Sequence, residues 1–222
     1  MAGGRGTRLH GLTAKQPKPM LRIGAKPLLE TIIDGFAAQG FTKFVLCVNY
    51  LAELIEAHFG DGSSRGVEIN YIREEQPLGT AGALRFLPDQ AEPFIVSNAD
   101  ILILPVVQYR DLLAAHTAHG RDATMCLALH QYQVPYGVAE MDGEAIAQVN
   151  EKPVKNFYVN AGLYVLPPSA PSMLPPGPSD MPALLNRLTV GKYEIEGTWI
   201  DIGAFDAFAA AHVNWALKVR AA

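Results

Sequence analysis

The sequence predicts an α/β fold, with a mixed, mainly parallel sheet wound by helices on both faces. Two observations carry that prediction. Through the first 130 residues, short apolar runs of strand length alternate with stretches of 3.6-residue apolar spacing, and glycine or proline closes most of the helical ones. After Gln131 the helical spacing drops out and strand-like runs follow one another with only turns between, as in an antiparallel excursion. Size permits such a fold: 222 residues, 49% of them hydrophobic, can bury a sizeable core. No apolar run approaches the ~20 residues needed to span a bilayer.

Each element has its own signal. Leu28 to Gln39 repeats apolar residues at Leu28, Leu29, Ile32, Ile33 and Phe36 and stops at Gly40, a suitable C-cap. Lys43 to Val48 reads as a buried strand. Leu51 to Phe59 is helical and ends at Gly60, and Val67 to Ile72 is a strand. Thr80 to Leu87 reads as helix, ending before Pro88. Pro93 to Asn98 is a strand that delivers Asp100 at its end. Gln108 to His119 is a helix closed by Gly120, and Ala123 to Leu129 is a strand. The antiparallel excursion comprises Tyr136 to Glu140, Ala145 to Asn150 and Phe157 to Leu166. Pro167 to Pro182, rich in proline and serine, is a surface loop, and Met181 to Leu188 is helical. Ala204 to Val219 is a closing helix with core positions Phe205, Phe208, His212 and Trp215. No repeat or linker interrupts the chain, so residues 1–222 read as one domain.

Charge is unevenly spread. The first 29 residues hold six cations and no acid: Arg5, Arg8, Lys15, Lys18, Arg22 and Lys26. The whole chain is at −4, so the remainder, with 12 basic and 22 acidic residues, carries −10. The cations sit in and just after a small-residue loop, Gly3-Gly4-Arg5-Gly6-Thr7. Bare glycine amides can approach phosphate oxygens, and fixed cations neutralise them, so the segment suits a polyphosphate. A solvated basic arm is the bland alternative, but it would not need the glycines. With no basic stripe elsewhere, nucleic acid is a poor partner. Cys47 and Cys126 lie in apolar stretches and read as buried free thiols. With no apolar leader, the chain is expected to be cytoplasmic.

The glycine loop is neither of the two common phosphate motifs. There is no G-x-x-x-x-G-K-[ST], and Gly4-x-Gly6 lacks the third glycine of the dinucleotide fingerprint. Farther on, Pro17-Lys18-Pro19 restricts the backbone on both sides of a lysine and limits where it points. His116 and His119 have a helical spacing compatible with metal binding, but no third ligand accompanies them, so they are expected on a solvated helix face.

The run Gly3-Gly4-Arg5-Gly6-Thr7-Arg8-Leu9 … Pro17-Lys18-Pro19-Met20-Leu21 resembles the signature of the sugar-1-phosphate nucleotidyltransferases, among them the mannose-1-phosphate guanylyltransferase-like members. The resemblance continues in order through Leu78-Gly79-Thr80-Ala81-Gly82, Asn98-Ala99-Asp100, Tyr136-Gly137-Val138, Glu151-Lys152-Pro153, Asn160-Ala161-Gly162 and Trp199-Ile200-Asp201-Ile202-Gly203. It covers nearly the whole chain. Gly11 and Ala99 depart from the family's frequent proline and glycine. The resemblance implies the Rossmann-like nucleotide-diphospho-sugar transferase fold with a small antiparallel sugar-facing lobe. Residues 1–130 would mainly bind nucleotide, 131–203 mainly sugar phosphate, and 204–222 close the domain. It also implies a short β-strand ahead of the glycine loop. Only Met1 and Ala2 precede Gly3, so most of that strand is expected to be absent, at a cost in stability.

The implied reaction joins an NTP and a sugar 1-phosphate, giving an NDP-sugar and pyrophosphate. Guanylyl transfer to a mannose-1-phosphate-like hexose phosphate is the best match. Uridylyl or thymidylyl transfer, a cytidylyl or molybdopterin-type transferase, and a non-catalytic sugar-nucleotide sensor are the alternatives. The attacking phosphate monoester is already anionic near neutral pH, its second pKa being about 6, so no general base is needed. By resemblance, Arg8, Lys18, Asp100 and Lys152 are catalytic, and Asp100 and Asp201 hold Mg²⁺. Ala2, Gly3, Gly4, Gly6, Thr7, Gln76, Gly79 and Thr80 bind the nucleotide. Asn98, Tyr136, Gly137, Glu151, Lys152 and Asn160 bind the sugar phosphate. NTP and sugar 1-phosphate are the expected partners, with no nucleic acid, no membrane and an undetermined oligomeric state.

Overall fold

A computed structural model describes residues 1–4, 6–105, 107–203 and 208–215, with the side chains of Thr7, Arg8 and His10 left out of the description. After the glycine loop come two 3₁₀ turns, Thr7–Leu12 and Lys18–Met20. β1 (Arg22–Ile23) and β2 (Lys26–Pro27) form a small hairpin. There follow α1 (Leu28–Ala37), β3 (Lys43–Val48), α2 (Ala52–Phe59) and β4 (Glu68–Arg73). Next are β5 (Phe94–Ser97), β6 (Ile101–Leu104), α3 (Tyr109–His119) and β7 (Ala123–Gln133). The excursion is β8 (Val138–Asp142), β9 (Ala145–Asn150) and β10 (Val154–Leu166). α4 (Met181–Leu185), β11 (Val190–Glu194) and β12 (Thr198–Asp201) complete the labelled elements.

The sheet is mixed. β3 and β4 pair in parallel, as do β7 and β11. β10 enters antiparallel between β5 and β7, so the main sheet runs β11–β7–β10–β5. β6 and β12 pair antiparallel, as do β8 and β9. Burial follows the sequence periodicity. α1 turns Leu28, Leu29, Ile33 and Phe36 inward, and Phe36 stacks on Tyr109 at 3.7 Å between ring centroids. Cys47 and Cys126 are buried free thiols, and burial pushes Cys126 up to about 12. Among the described residues no helix is long and apolar enough to cross a membrane.

β3 and β5 do not pair with each other. A slot of about 330 Å³ separates them, walled by Leu46 and Cys47 on one side, Ile95 and Val96 on the other, and Ile33 and Phe36 from α1. Met1 and Ala2 sit at its end. The Met1 ammonium donates to Ser97 O at 2.9 Å, Ala99 N donates to Met1 O at 3.0 Å, and Ala2 N donates to Cys47 O at 2.8 Å. The bonds to β5 follow the parallel-ladder pattern. Met1 thus runs parallel to the end of β5.

Two local expectations are corrected. Thr80–Leu87 is not an α-helix; a 3₁₀ turn covers only Gly82–Phe86. The amides of Ala81 and Gly82 both donate to Ser179 O, across the chain, so the segment is claimed by a neighbouring loop. In the closing helix, described over residues 208–215, His212 is exposed. Ala211 takes the buried position, while Phe208 and Trp215 pack against Ile23, Leu28, Leu102 and Ile202. Phe205 lies outside the described residues, as do both ends of that predicted helix. Five strands gave no separate sequence signal: β1, β2, β6, β11 and β12. β6 and β12 are four residues each, and their pairing with each other is long-range.

Candidate active site

Asp100 lies one residue past Ala99, whose amide is fixed by Met1 O, and directly before β6. Asp201 ends β12. The β6–β12 register sets Asp201 opposite Ile101, and Ile202 N donates to Asp100 O at 2.8 Å. The two carboxylates are therefore neighbours by strand pairing. Both meet the Lys18 ammonium: Nζ is 2.5 Å from Asp100 Oδ2 and 3.7 Å from Asp201 Oδ1. Lys18 is 6% exposed, in a 3₁₀ turn with Pro17 as N-cap and Pro19 next, so proline restricts its backbone as the sequence suggested.

Gly6 covers Lys18. Its φ is +61°, and a Cβ there would lie 3.2 Å from Lys18 Cβ and 3.0 Å from Thr13 Cγ2. Only glycine meets both demands at low cost. Thr13 Oγ1 donates to Gly6 O, and Tyr50 Oη donates to the carbonyls of Thr13 and Ala14. Thr13 and Tyr50, which carried no separate signal, thus brace the glycine loop over the lysine. Glu74 braces its other end. Its Oε1 would be 2.8 Å from a Cβ on Gly3, and its Oε2 accepts from Leu78 N at 3.0 Å. Burial pushes the Glu74 carboxyl up, opposed by the Leu78 amide and the chain's own ammonium. Gly4 is exposed and Ala2 buried. The side chains of Arg8 and Thr7 lie outside the described residues, as does all of Arg5. Of the other N-terminal cations, Lys26 pairs with Asp34 and Glu30, and Arg22 bonds Ala25 O, so both serve local structure.

The turn Leu78–Ala81 is tied to the proline-rich loop. Thr80 N and Oγ1 both approach Asp180 Oδ1, and Thr80 Oγ1 accepts from Met181 N at 2.7 Å. A Cβ on Gly79 would stand 2.6 Å from Ser179 O, and Gly79 has φ +76°. The Thr80 hydroxyl is thus committed to holding Asp180 and the start of α4. Gln76 is exposed in the adjoining loop. The sequence analysis did not single out Asp180, whose one signal is a polar residue standing just ahead of Met-Pro.

On the other side, Asn98 N donates to Gly162 O, and Asn98 Nδ2 would be 2.7 Å from a Cβ on Gly162, which has φ +76°. Asn160 Oδ1 accepts from Gly162 N. Burial pushes the Tyr164 phenol up, while a hydrogen bond with Asn160 pulls it down. Trp199 Nε1 donates to Ala161 O, tying the turn to β12. In the turn between β9 and β10, Lys152 N donates to Tyr136 O, and Lys152 has φ +46°, a strained backbone for a side-chain-bearing residue. The Glu151 carboxylate lies over Gly137, 3.1 Å from where a Cβ would be. Tyr136, Gly137, Glu151, Lys152 and Asn160 are all exposed. The structure thus gathers two groups, one around Lys18 and one around the 136–152 hairpin, and brings Asn98 and Asn160 together at Gly162.

One expectation fails here. His116 and His119 do not form a solvated face. His116 is buried, and His116 Nδ1 and His119 Nε2 both contact Thr124 Oγ1, at 2.9 and 2.8 Å. Thr124 is fully buried on β7, and its hydroxyl needs partners that the two imidazoles supply. Among the described residues no cluster of three or more His, Cys, Asp and Glu side chains could hold a metal. The carboxylate pair at Lys18 is a different case. Two acidic oxygens already share one cation, so the donor set suits a hard ion completed by water and phosphate oxygens.

The mannose-1-phosphate guanyltransferase of Schizosaccharomyces pombe is 34% identical over 218 residues, covering 91% of this chain and 60% of that protein. The mannose-1-phosphate guanylyltransferase catalytic subunit beta of Danio rerio is 32% identical over 235 residues, covering 99% of this chain and 64% of that protein. The chain therefore spans about three fifths of these relatives. In fold it is similar to the crystal structure of HddC from Yersinia pseudotuberculosis, with TM-score 0.74, 24% identity and 96% of each chain covered. A family model described as nucleotidyl transferase matches residues 1–217. With that match over nearly all its length, the chain belongs to the nucleotidyl transferase family.

Proposed function

We propose that this chain transfers a nucleotidyl group from an NTP to a sugar 1-phosphate and releases pyrophosphate. Guanylyl transfer to a mannose-1-phosphate-like hexose phosphate is the specific reading, supported by relatives named for that reaction at 34% and 32% identity. The observation that carries it is the convergence of Lys18, Asp100 and Asp201 beneath Gly6.

An oxygen of the sugar phosphate attacks the α-phosphorus, forming an O–P bond as the bond from Pα to the bridging oxygen breaks and pyrophosphate departs. The nucleophile needs no base, so the site's task is alignment and charge neutralisation. Asp100 and Asp201 would hold Mg²⁺, which supplies positive charge to the phosphate oxygens. The amides of Gly3, Gly4 and Gly6 cradle the triphosphate, with Ala2 and Thr7 flanking them. Arg8 neutralises the departing pyrophosphate, and Lys18 faces the α-phosphate. Gln76, Gly79 and the Thr80 backbone contact base and ribose. Lys152 takes the sugar phosphate, Glu151, Asn160 and Asn98 its hydroxyls, and Tyr136 and Gly137 bound the sugar.

A pyrophosphate-release assay with Mg²⁺ tests this, crossing GTP, UTP, dTTP, CTP and ATP against mannose, glucose, glucosamine and N-acetylated sugar 1-phosphates. Release with GTP and mannose 1-phosphate well above other pairs is expected. A dominant UTP or dTTP pair corrects the base. No release with any pair from folded protein overturns the enzymatic reading in favour of a sugar-nucleotide sensor.

A further inference from the structure

We propose that Lys18 is the resident counter-ion of the Asp100–Asp201 pair and exchanges there with the divalent cation, so that metal binding itself frees the lysine for phosphate. This rests on the reading of the site given above and deepens it.

The argument begins with where the ammonium is. Lys18 Nζ sits against Asp100 Oδ2 and also reaches Asp201 Oδ1, the two carboxylates that suit a metal. A divalent ion bound to those same oxygens would bring a +2 charge against a +1 charge in a partly buried place, and the two cannot share it. One must leave, and the lysine is the one that can. Its backbone is pinned by Pro17, Pro19 and the close approach of Gly6. Its side chain is a flexible stem whose head can move by rotamer changes alone. Because Lys18 is only 6% exposed, its displaced head needs another anion near the glycine loop. An incoming phosphate supplies one.

Two consequences follow. Without nucleotide, the lysine competes with the metal, so the metal binds weakly. With nucleotide, the phosphate takes over the lysine and the competition ends. Metal and nucleotide therefore bind cooperatively, and the coupling is reciprocal. The lysine is both a block on the empty site and a group delivered when the site fills.

The test measures Mn²⁺ binding by electron paramagnetic resonance of the free ion, without nucleotide, and needs no turnover. Lys18→Met should bind Mn²⁺ at least tenfold more tightly than the unaltered protein. Lys18→Gln provides a second, polar neutral variant, and circular dichroism establishes that each is folded. Adding GTP should narrow the difference. Equal or weaker Mn²⁺ binding by both folded neutral variants, with the unaltered protein binding Mn²⁺ alone or with GTP, overturns the exchange and leaves the metal site standing. Mn²⁺ binding to none of the proteins, even with GTP present, overturns the metal assignment itself, and the exchange with it. Asp100→Asn with Asp201→Asn should abolish the Mn²⁺ binding; retained binding would place the ion elsewhere and overturn the exchange.

Discussion

At Asp100 a single carboxylate has two neighbours that define its chemistry, the Lys18 ammonium and the Asp201 carboxylate reached through it. Asp100→Asn keeps size and hydrogen-bonding capacity but removes the charge. We expect kcat for pyrophosphate release to fall by about 10²-fold or more, the scale set by loss of one preorganised electrostatic contact. Circular dichroism should be unchanged, and undiminished turnover would remove Asp100 from the mechanism. His116 makes a prediction of a different kind. Its burial, with the His119 charge adding to it, holds its pKa below the usual histidine value. The neutral ring is the one that fits Thr124, so this stability is full above about pH 6.5 and is lost as pH falls through the lowered folded value. The melting temperature should drop between pH 7.5 and 5.5, and His116→Gln should lessen that drop. An equal drop in the variant would assign the pH dependence to other groups. Sequence reading singled out Lys18 and Asp100 because short motifs carry them, and the structure brings the two together. It missed Asp180, which holds Thr80 from a hundred residues away, and misplaced His116, because its partner on β7 is an ordinary threonine in a strand.

Among the elements, those with strong periodicity were legible: α1, α2, α3 and the strands β4, β5 and β7 fall within a few residues of expectation, and β3 and β9 fall on it. What periodicity could not supply was pairing. β6 and β12 are too short to stand out alone and exist because they find each other. The 82–86 turn departs from helix because its neighbouring amides are claimed by Ser179. The slot between β3 and β5 also lies at this scale. Its inner edges offer backbone groups, and its walls are apolar, conditions under which an added strand gains both hydrogen bonds and burial. Fusing a five-residue valine- and isoleucine-rich segment ahead of Met1 should raise the melting temperature by roughly 5 °C, or about 2 kcal/mol for a chain of this size. The direction of the Met1 bonds to β5 favours parallel entry. An unchanged melting temperature would mean that the slot does not accept a strand.

For the molecule as a whole, charge and exposed surface matter most. Cations concentrate at the N-terminal loop against a remainder at −10, so an incoming nucleotide is attracted locally and repelled elsewhere. KM for the NTP should therefore rise as salt increases from ~0.05 M to ~0.5 M, while kcat changes less, since screening acts on encounter more than on groups in contact. A flat KM would mean that the loop cations do not steer the nucleotide. The outer halves of β7 and β10 and the β8–β9 hairpin stay exposed and carry Leu129, Phe157, Tyr158, Met141, Ile146 and Val149 on their surfaces. The composition hid this apolar arm, because strand alternation looks the same whether or not anything covers it.

The β6–β12 ladder has one more effect. It makes the spacing of Asp100 and Asp201 a matter of strand register. A one-residue slip in β12 would turn Asp201 to the opposite face, away from its partner, whatever the surrounding loops did. Conversely, the exposed β8–β9 hairpin, in the long stretch of chain between Leu104 and Thr198, can lengthen or change its surface without altering that spacing. New specificity can therefore be grafted onto this scaffold between two strands whose own lengths must not change.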